Sequence, residues 1–296
     1  MSSQRDTAQS LSRDRRGGRD LRSLGHTALS LHIPLVLYLL FLLLPILWTV
    51  ITSLKPPHEI ITLQIRYLPI EPTFEHYANL FRTLPFAAYF RNSFFVSSGA
   101  ALFSLVISTS AAYSVSRFRF RGRGMVMLLF LTLNMFPIVL LLIPLFVIFR
   151  TLQLLDTYLA LIIAYSTYAI PFCCWMLTGF FNSIPHELEE SGMVDGCTHG
   201  MAFVRITLPL AAPAMAATLI YIFIYAWNEF LFALTFTRSI ASRTLPVGLA
   251  TLIGQHVLNW GLLTAGGVVS SVPAIVLFMF IQKYMTAGLT AGAVKG

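Results

Sequence analysis

Six long stretches of the chain carry no Asp, Glu, Lys or Arg: residues 23–54, 92–116, 124–149, 157–186, 206–228 and 244–282. Their lengths are 32, 25, 26, 30, 23 and 39 residues, and roughly 20 apolar residues cross a bilayer as a helix. The pattern predicts an all-α polytopic membrane protein. Its six transmembrane helices fall near Leu31–Leu54, Asn92–Ser116, Gly124–Phe149, Tyr158–Phe181, Leu210–Thr235 and Leu262–Tyr284. The last run is too long for one helix. Pro246, Gly248, Gly254, Asn259 and Gly261 in its first part point to a structured outer loop with a helical stretch. No internal repeat is visible, so one membrane domain over 29–296 follows a polar, disordered tail at 1–28.

Charge sets the register. Arg117, Arg119, Arg121 and Arg123 at the bilayer centre would cost about 10–14 kcal/mol, so 117–123 is a loop. With the N-terminus inside, the cytoplasmic segments hold 13 basic residues and the outer segments 7, which places both termini in the cytoplasm. Tyr77 is then outside, and Gly122 and Cys197 inside. An arginine-rich tail can bind nucleic acid, but ahead of a spanning helix it reads as a topology signal; no nucleic-acid partner is expected. Only 11% of residues are charged, against about 25% in soluble domains, which excludes an ordinary soluble enzyme. Adjacent Cys173 and Cys174, with Cys197 in a different setting, imply no disulfide framework.

The connection 183–208 differs from the others. Pro185 suits a first helical turn, and Glu187, Glu189 and Glu190 complement the positive end of the helix dipole. Gly196 is placed to end that helix in a left-handed conformation. Thr198 can cap a second short helix running through Phe203 and Ile206 and stopped by Pro209. Two short helices at an angle make a rigid knob able to enter a groove; an ordinary connecting hairpin fits the same spacing.

These residues carry a resemblance. Glu190-Ser-Gly-Met-Val-Asp195-Gly196, with Phe203, Ile206, Leu208 and Pro209 at their spacings, resembles the EAA loop of binding-protein-dependent ABC importer permeases. The ending Gly288–Gly296 resembles that of the MalG-type subunits of carbohydrate importers, and Asn92-Ser93, Ala111-Ala-Tyr113, Ala226–Phe230 and Thr244–Gly248 add to the match. Ser191, Gly192 and Cys197 depart from the family's usual alanines but are also small. The resemblance implies a type I (MetI-like) permease fold with its transmembrane core at about 88–284. It also implies a MalF-like partner permease, two cytoplasmic ATPase subunits, an extracytoplasmic solute-binding protein, and a sugar or oligosaccharide as cargo. In that family Glu190 would make the charged contact with an ATPase, Asp195 would support the loop and Gly196 would allow its turn, with Phe203 and Pro209 completing the motif. The loop between the last two helices would probe the receptor, with Gln255, His256 and Asn259 as its polar candidates. Some relatives carry polyols or glycerol phosphate.

No Gly-x-x-x-x-Gly-Lys-Ser/Thr loop occurs, so ATP and Mg belong to the partner ATPases, and this chain is expected to bind no cofactor. His186 has Glu190 where a zinc helix needs its second His, so no metal site is expected. Intramembrane polar residues are the remaining candidates. Asn134 and Tyr168 fall near the midplane, where a translocation path would lie. Asn228 and Glu229 fall towards the outer end of the fifth helix. Pro137, Pro144, Pro171 and Pro273 sit within helices and mark candidate kinks. An integral membrane enzyme acting on lipid-linked substrates lacks the carboxylate or His cluster it would need.

Overall fold

The computed structural model describes residues 30–253 and 258–293. The chain runs as α1 (Ser30–Ser53), α2 (Pro57–Ile60), α3 (Glu75–Thr83), α4 (Phe86–Arg117), α5 (Arg123–Met135), α6 (Ile138–Thr151) and α7 (Tyr158–Ser183). It continues as α8 (His186–Val194), α9 (His199–Ala202), a π-helical turn (Phe203–Thr207), α10 (Leu208–Asn228), α11 (Leu231–Phe236), α12 (Leu245–Ala250) and α13 (Trp260–Ala293). The expected tail at 1–28 and the receptor candidates Gln255 and His256 lie outside the described residues.

Small side chains let the spans approach closely. Ala100, Ala101, Ser104 and Ala112 of α4 are buried, as are Ala160, Ala164 and Ser166 of α7, and Ser104 Oγ donates to Ser166 Oγ at 2.8 Å. α10 packs against both helices, and α13 lies against α10. The side chains of α1 from Ser30 to Trp48 are exposed along the whole stretch, as suits a helix facing lipid or another subunit.

The third span is corrected. Instead of one helix over 124–149, α5 and α6 meet at Phe136-Pro137 with a bend of 96°. Proline disfavours helical backbone in the residue before it, and Phe136 is extended at φ −75°, ψ 129°. Arg123 at the start of α5 lies beside Asn182 near one end of α7, while Asp156 immediately precedes the other end of α7. The broken pair therefore makes one crossing, which with the five continuous spans gives six.

Other boundaries also move. The second span begins at Phe86 and takes Arg91 into its first turns. The fifth ends at Asn228, where Glu229 is extended, and α11 restarts two residues later. The outer loop after α11 is fastened at several points. Asn92 Nδ2 donates to the carbonyls of Ile240 and Arg243, both at 2.9 Å, and Tyr158 OH donates to Asn92 Oδ1 at 2.5 Å. Ser93 Oγ accepts the Leu245 N–H at the start of α12, the helical stretch expected in this loop.

Candidate functional site

The hairpin after α7 is built from local signals. α8 starts behind Pro185 with Glu187 and Glu189 in its first turn. The chain then reverses at Gly196, whose φ of +91° lies where a Cβ is penalised. The N–H groups of Gly196 and Cys197 reach back to the carbonyls of Met193 and Gly192 at 3.1 and 2.9 Å, closing the C-terminal turn of α8. Thr198 Oγ1 accepts the Met201 N–H at 3.3 Å and caps α9.

Pro209 does not stop the second helix. His199 to Asn228 runs on as one span. The π-helical turn just ahead, with the Leu208 N–H bonded to the Phe203 carbonyl, absorbs the ring that would otherwise clash in an α-helical ladder.

A buried carboxylate locks the hairpin to the bundle. Glu189 Oε1 accepts from Arg117 Nε and from Thr207 Oγ1, both at 2.6 Å, and Oε2 accepts from Tyr113 OH at 2.9 Å. Arg117 Nη2 also donates to the Ile184 carbonyl at 3.2 Å. The Arg117 and Glu189 side chains are only 4% and 8% exposed. Burial by itself pushes the Glu189 carboxyl up; the bonds from Thr207, Arg117 and Tyr113 more than offset this and hold it below the ordinary carboxylate value. Around this lock Tyr113 packs on Phe203 with ring centroids 4.3 Å apart. The four-arginine segment and the hairpin thus share one end of the bundle, as the charge pattern requires.

The named motif residues separate by exposure. Glu190, Asp195, Gly196 and Pro209 are exposed, and Phe203 is half-buried. Val194, at the tip beside Asp195, is 88% exposed. Of the adjacent acids, Glu189 faces the protein and Glu190 faces away. Sequence reasoning did not single out Glu189 or its partner Arg117, because neither carries a motif of its own.

At membrane depth, Tyr168 and Asn228 approach one site and Asn134 does not. Tyr168 stacks on Tyr225, with centroids 5.3 Å apart. Asn228 and Glu229 line a cleft of about 420 Å³ together with Tyr221, Ile224 and Tyr225. The Glu229 carboxylate accepts the N–H groups of Phe232 and Ala233 at 2.8 and 3.1 Å, so it caps α11. Asn134 Nδ2 donates to Phe130 O on its own helix. At the outer end, Asn259 Oδ1 accepts the Leu262 N–H at 3.0 Å and caps the start of α13, beside a cavity of about 380 Å³ lined in part by Pro57, Ile60 and Trp260.

Residues 104–290 match the family described as the binding-protein-dependent transport system inner membrane component. The chain is 39% identical over 254 residues to the sulfoquinovosyl glycerol transport permease SmoH of Agrobacterium fabrum, covering 86% of this chain and 89% of that one. It is 37% identical over 258 residues to the trehalose transport permease SugB of Mycobacterium tuberculosis, covering 86% and 93%. It is 37% identical over 265 residues to the trehalose/maltose transport permease MalG of Thermococcus litoralis, covering 88% and 94%. In fold it is similar to a bacterial ABC transporter that imports the acidic polysaccharide alginate, with a TM-score of 0.74 and 24% identity over 85% of this chain and 94% of that one.

Proposed function

Because the chain belongs to the family of inner-membrane components of binding-protein-dependent transport systems, we propose that it is a sugar-conducting permease of an ATP-driven importer. It is a transport subunit rather than an enzyme. Relatives named for trehalose, maltose and sulfoquinovosyl glycerol support a sugar or sugar derivative as cargo.

In this reading the hairpin 183–208 is the coupling element. The observation that carries it is the Glu189 lock. One carboxylate joins α8 to Arg117 and Tyr113 on α4 and to Thr207 ahead of α10, so force applied at the exposed tip reaches two spans at once. Glu190, Val194 and Asp195 form the surface offered to a cytoplasmic ATPase, and Gly196 supplies the turn that presents them. Phe203 seats the second arm against Tyr113, and Pro209 starts the span that the arm drives. Two ATPase subunits would hold the ATP and Mg, a second, MalF-like permease would complete the pathway, and an extracytoplasmic solute-binding protein would deliver the sugar. Both termini then face the cytoplasm. The permease domain takes in 29–296, with its core at about 88–284. Tyr168 and Asn228 lie along the pathway, with Glu229 fixing its outer corner and Asn134 beside the break in the third span. Asn259, with Gln255 and His256, belongs to the loop that meets the receptor.

The test uses the assembled transporter. Cysteines replacing Glu190 or Val194 should cross-link to an ATPase subunit, whereas one replacing the outer-loop residue Glu71 should not. Gly196→Val should insert normally yet abolish receptor-stimulated ATP hydrolysis, while Gly196→Asn, which tolerates the left-handed region, should retain it. Full stimulation in Gly196→Val, or no cross-link from either hairpin position, would reject the coupling assignment.

A further inference from the structure

The open face shared by α7 and α10 carries a ladder of aromatic rings. Tyr168 and Tyr225 form the outer rung, with planes only 19° from parallel. Phe172 and Tyr221 form the next, with centroids 4.7 Å apart. Trp175, exposed to the same side, follows Phe172 at 6.2 Å. On α10 the residues Tyr221, Tyr225 and Asn228 recur at helical spacing and make a single stripe.

This ladder lies too deep for an interfacial belt. At 1.5 Å per residue, Tyr221 is about 10 Å inward of the end of α10, and Tyr168 is about 15 Å inward of the start of α7. Tyr and Trp belts sit at the membrane–water boundary, whereas a phenol or amide facing hydrocarbon is left unsatisfied at a cost of several kcal/mol. Yet Asn228 is exposed, and its Nδ2 bonds only the Ile224 carbonyl of its own helix, leaving Oδ1 without a partner among the described residues. The Tyr225 hydroxyl is buried and also unpartnered there. By contrast, α5 and α6 turn Leu128, Leu129, Leu140, Ile143 and Val147 outward, a surface fit for lipid. The α7–α10 face is therefore the wall of a polar cavity.

Its chemistry narrows the occupant. The apolar C–H face of a pyranose stacks on an aromatic ring, while its rim of hydroxyls needs donors and acceptors at the edge; phenols and an amide supply both. The cleft on this face has Tyr221, Ile224, Tyr225, Asn228 and Glu229 as its lining, with one carboxylate and no Lys or Arg. A phosphate, sulfonate or uronate would meet no compensating charge from this subunit.

We propose that the α7–α10 ladder is a track that stacks sugar rings during passage and selects neutral pyranosides over anionic ones. This rests on the reading of the chain as a sugar permease and adds to it a contact surface and a charge class.

The experiment uses the whole transporter, receptor and ATPases included, in proteoliposomes. The purified solute-binding protein is first screened by thermal shift against neutral mono- and disaccharides, glucose 6-phosphate and galacturonate; radiolabelled forms of the compounds it binds are then the uptake probes. Tyr221→Ala and Trp175→Ala should each cut uptake of a neutral sugar about tenfold, the factor that about 1.4 kcal/mol of lost stacking represents. Receptor-stimulated ATP hydrolysis should persist in both. Tyr221→Phe should stay near wild type, and Tyr221→Leu, which keeps bulk but loses the ring, should fall with Tyr221→Ala. Uptake within twofold of wild type in both alanine variants, or equal rescue by Leu and Phe, overturns the track. Uptake of an anionic sugar as fast as a neutral one overturns the charge selection. If the wild type imports no sugar of either class, the sugar-permease reading itself fails, before any variant is compared.

Discussion

Gly192 on α8 and Ile206 in the π-helical turn stand so close that a Cβ on Gly192 would meet Ile206 Cδ1 at 2.4 Å. The next nearest atom, Ile206 Cγ1, is 3.9 Å away, so the obstruction is the tip of one side chain that can rotate. Adding a methyl therefore sets a packing cost against a gain in helix propensity of about 1 kcal/mol. Gly192→Ala is expected to leave the melting temperature and the receptor-stimulated ATPase rate near wild type. Gly192→Val places a second branch into the same space and should separate α8 from the π-helical turn, lowering both. Wild-type stimulation in Gly192→Val would mean that transport does not depend on this close approach.

The Glu189–Arg117 pair gives a second prediction, with a definite sign. Removing one partner of a buried ion pair leaves the other uncompensated, at about 3–5 kcal/mol. Arg117→Met should thus destabilise strongly, and adding Glu189→Leu should recover part of the loss. Burial raises the Glu189 carboxyl, but its three hydrogen-bond donors lower it further, to a net value below the ordinary 4.5. A carboxyl depressed in the folded state contributes stability that is complete above its unfolded value and is lost as pH falls through its folded value. Melting temperature should therefore be flat above about pH 5 and decline below pH 4.5 through this group. In Glu189→Gln that component should vanish and the plateau should be lower. An acid limb identical to wild type in Glu189→Gln would show that other carboxylates set it.

Much of this architecture is legible in the chain because charge is so costly in a bilayer. The six uncharged runs mark the crossings, and four arginines within seven residues, Arg117 to Arg123, fix a turn that the structure places beside the hairpin. Gly196 announces its positive φ by standing where α8 must reverse. What stays hidden depends on rotation and on distant partners. Glu189 and Glu190 are equivalent in the sequence; only the rotation of α8 against Arg117, 72 positions away, makes one structural and the other exposed. The break at Phe136-Pro137 hides because proline is tolerated within membrane helices, so 26 uncharged residues read as a single span. Glu229 looks like a pathway residue for its charge alone, yet its oxygens serve the N–H groups that begin α11.

Asp156 controls the outer end as Glu189 does the opposite one. It occupies a left-handed backbone position at φ +65°, and its Oδ1 accepts the N–H groups of Arg238 and Ser239 at 2.7 and 2.9 Å as well as the Ser242 hydroxyl. Partial burial pushes its carboxyl up, but these donors pull it down to about 2, from an ordinary 3.8. Its contribution to stability is therefore complete above about pH 4 and lost between there and pH 2. Asp156→Asn keeps an acceptor oxygen and tolerates the backbone, so it should melt close to wild type at pH 7 but lack this acid-sensitive component. Asp156→Ala should be the less stable of the two at pH 7. Equal melting of the two variants at pH 7 would show that the carboxylate does not hold the 238–242 loop in place.

Sidedness can be read from thiols, because the native cysteines give a clean background. Cys173 and Cys174 are buried and Cys197 is partly exposed on the hairpin, so Cys197→Ser should leave a chain nearly silent to a maleimide that cannot cross membranes. Probe positions follow from the geometry. Gly122 is unsuitable because its φ of +95° penalises any Cβ, and the neighbouring exposed Arg121 replaces it. Tyr77 is half-buried with its hydroxyl 2.7 Å from Ser53 Oγ, so the exposed Glu71 serves for the first outer loop. The Arg117–Glu189 contact requires the α4–α5 turn and the hairpin to share a side. Arg121→Cys, and Cys197 in the wild type, should therefore label only in inside-out vesicles, and Glu71→Cys only in right-side-out ones. Labelling of Arg121→Cys and Glu71→Cys from the same side would break the six-span layout, since an odd number of crossings, α1 alone or α1 with α4 and α7 reassigned, could no longer separate them.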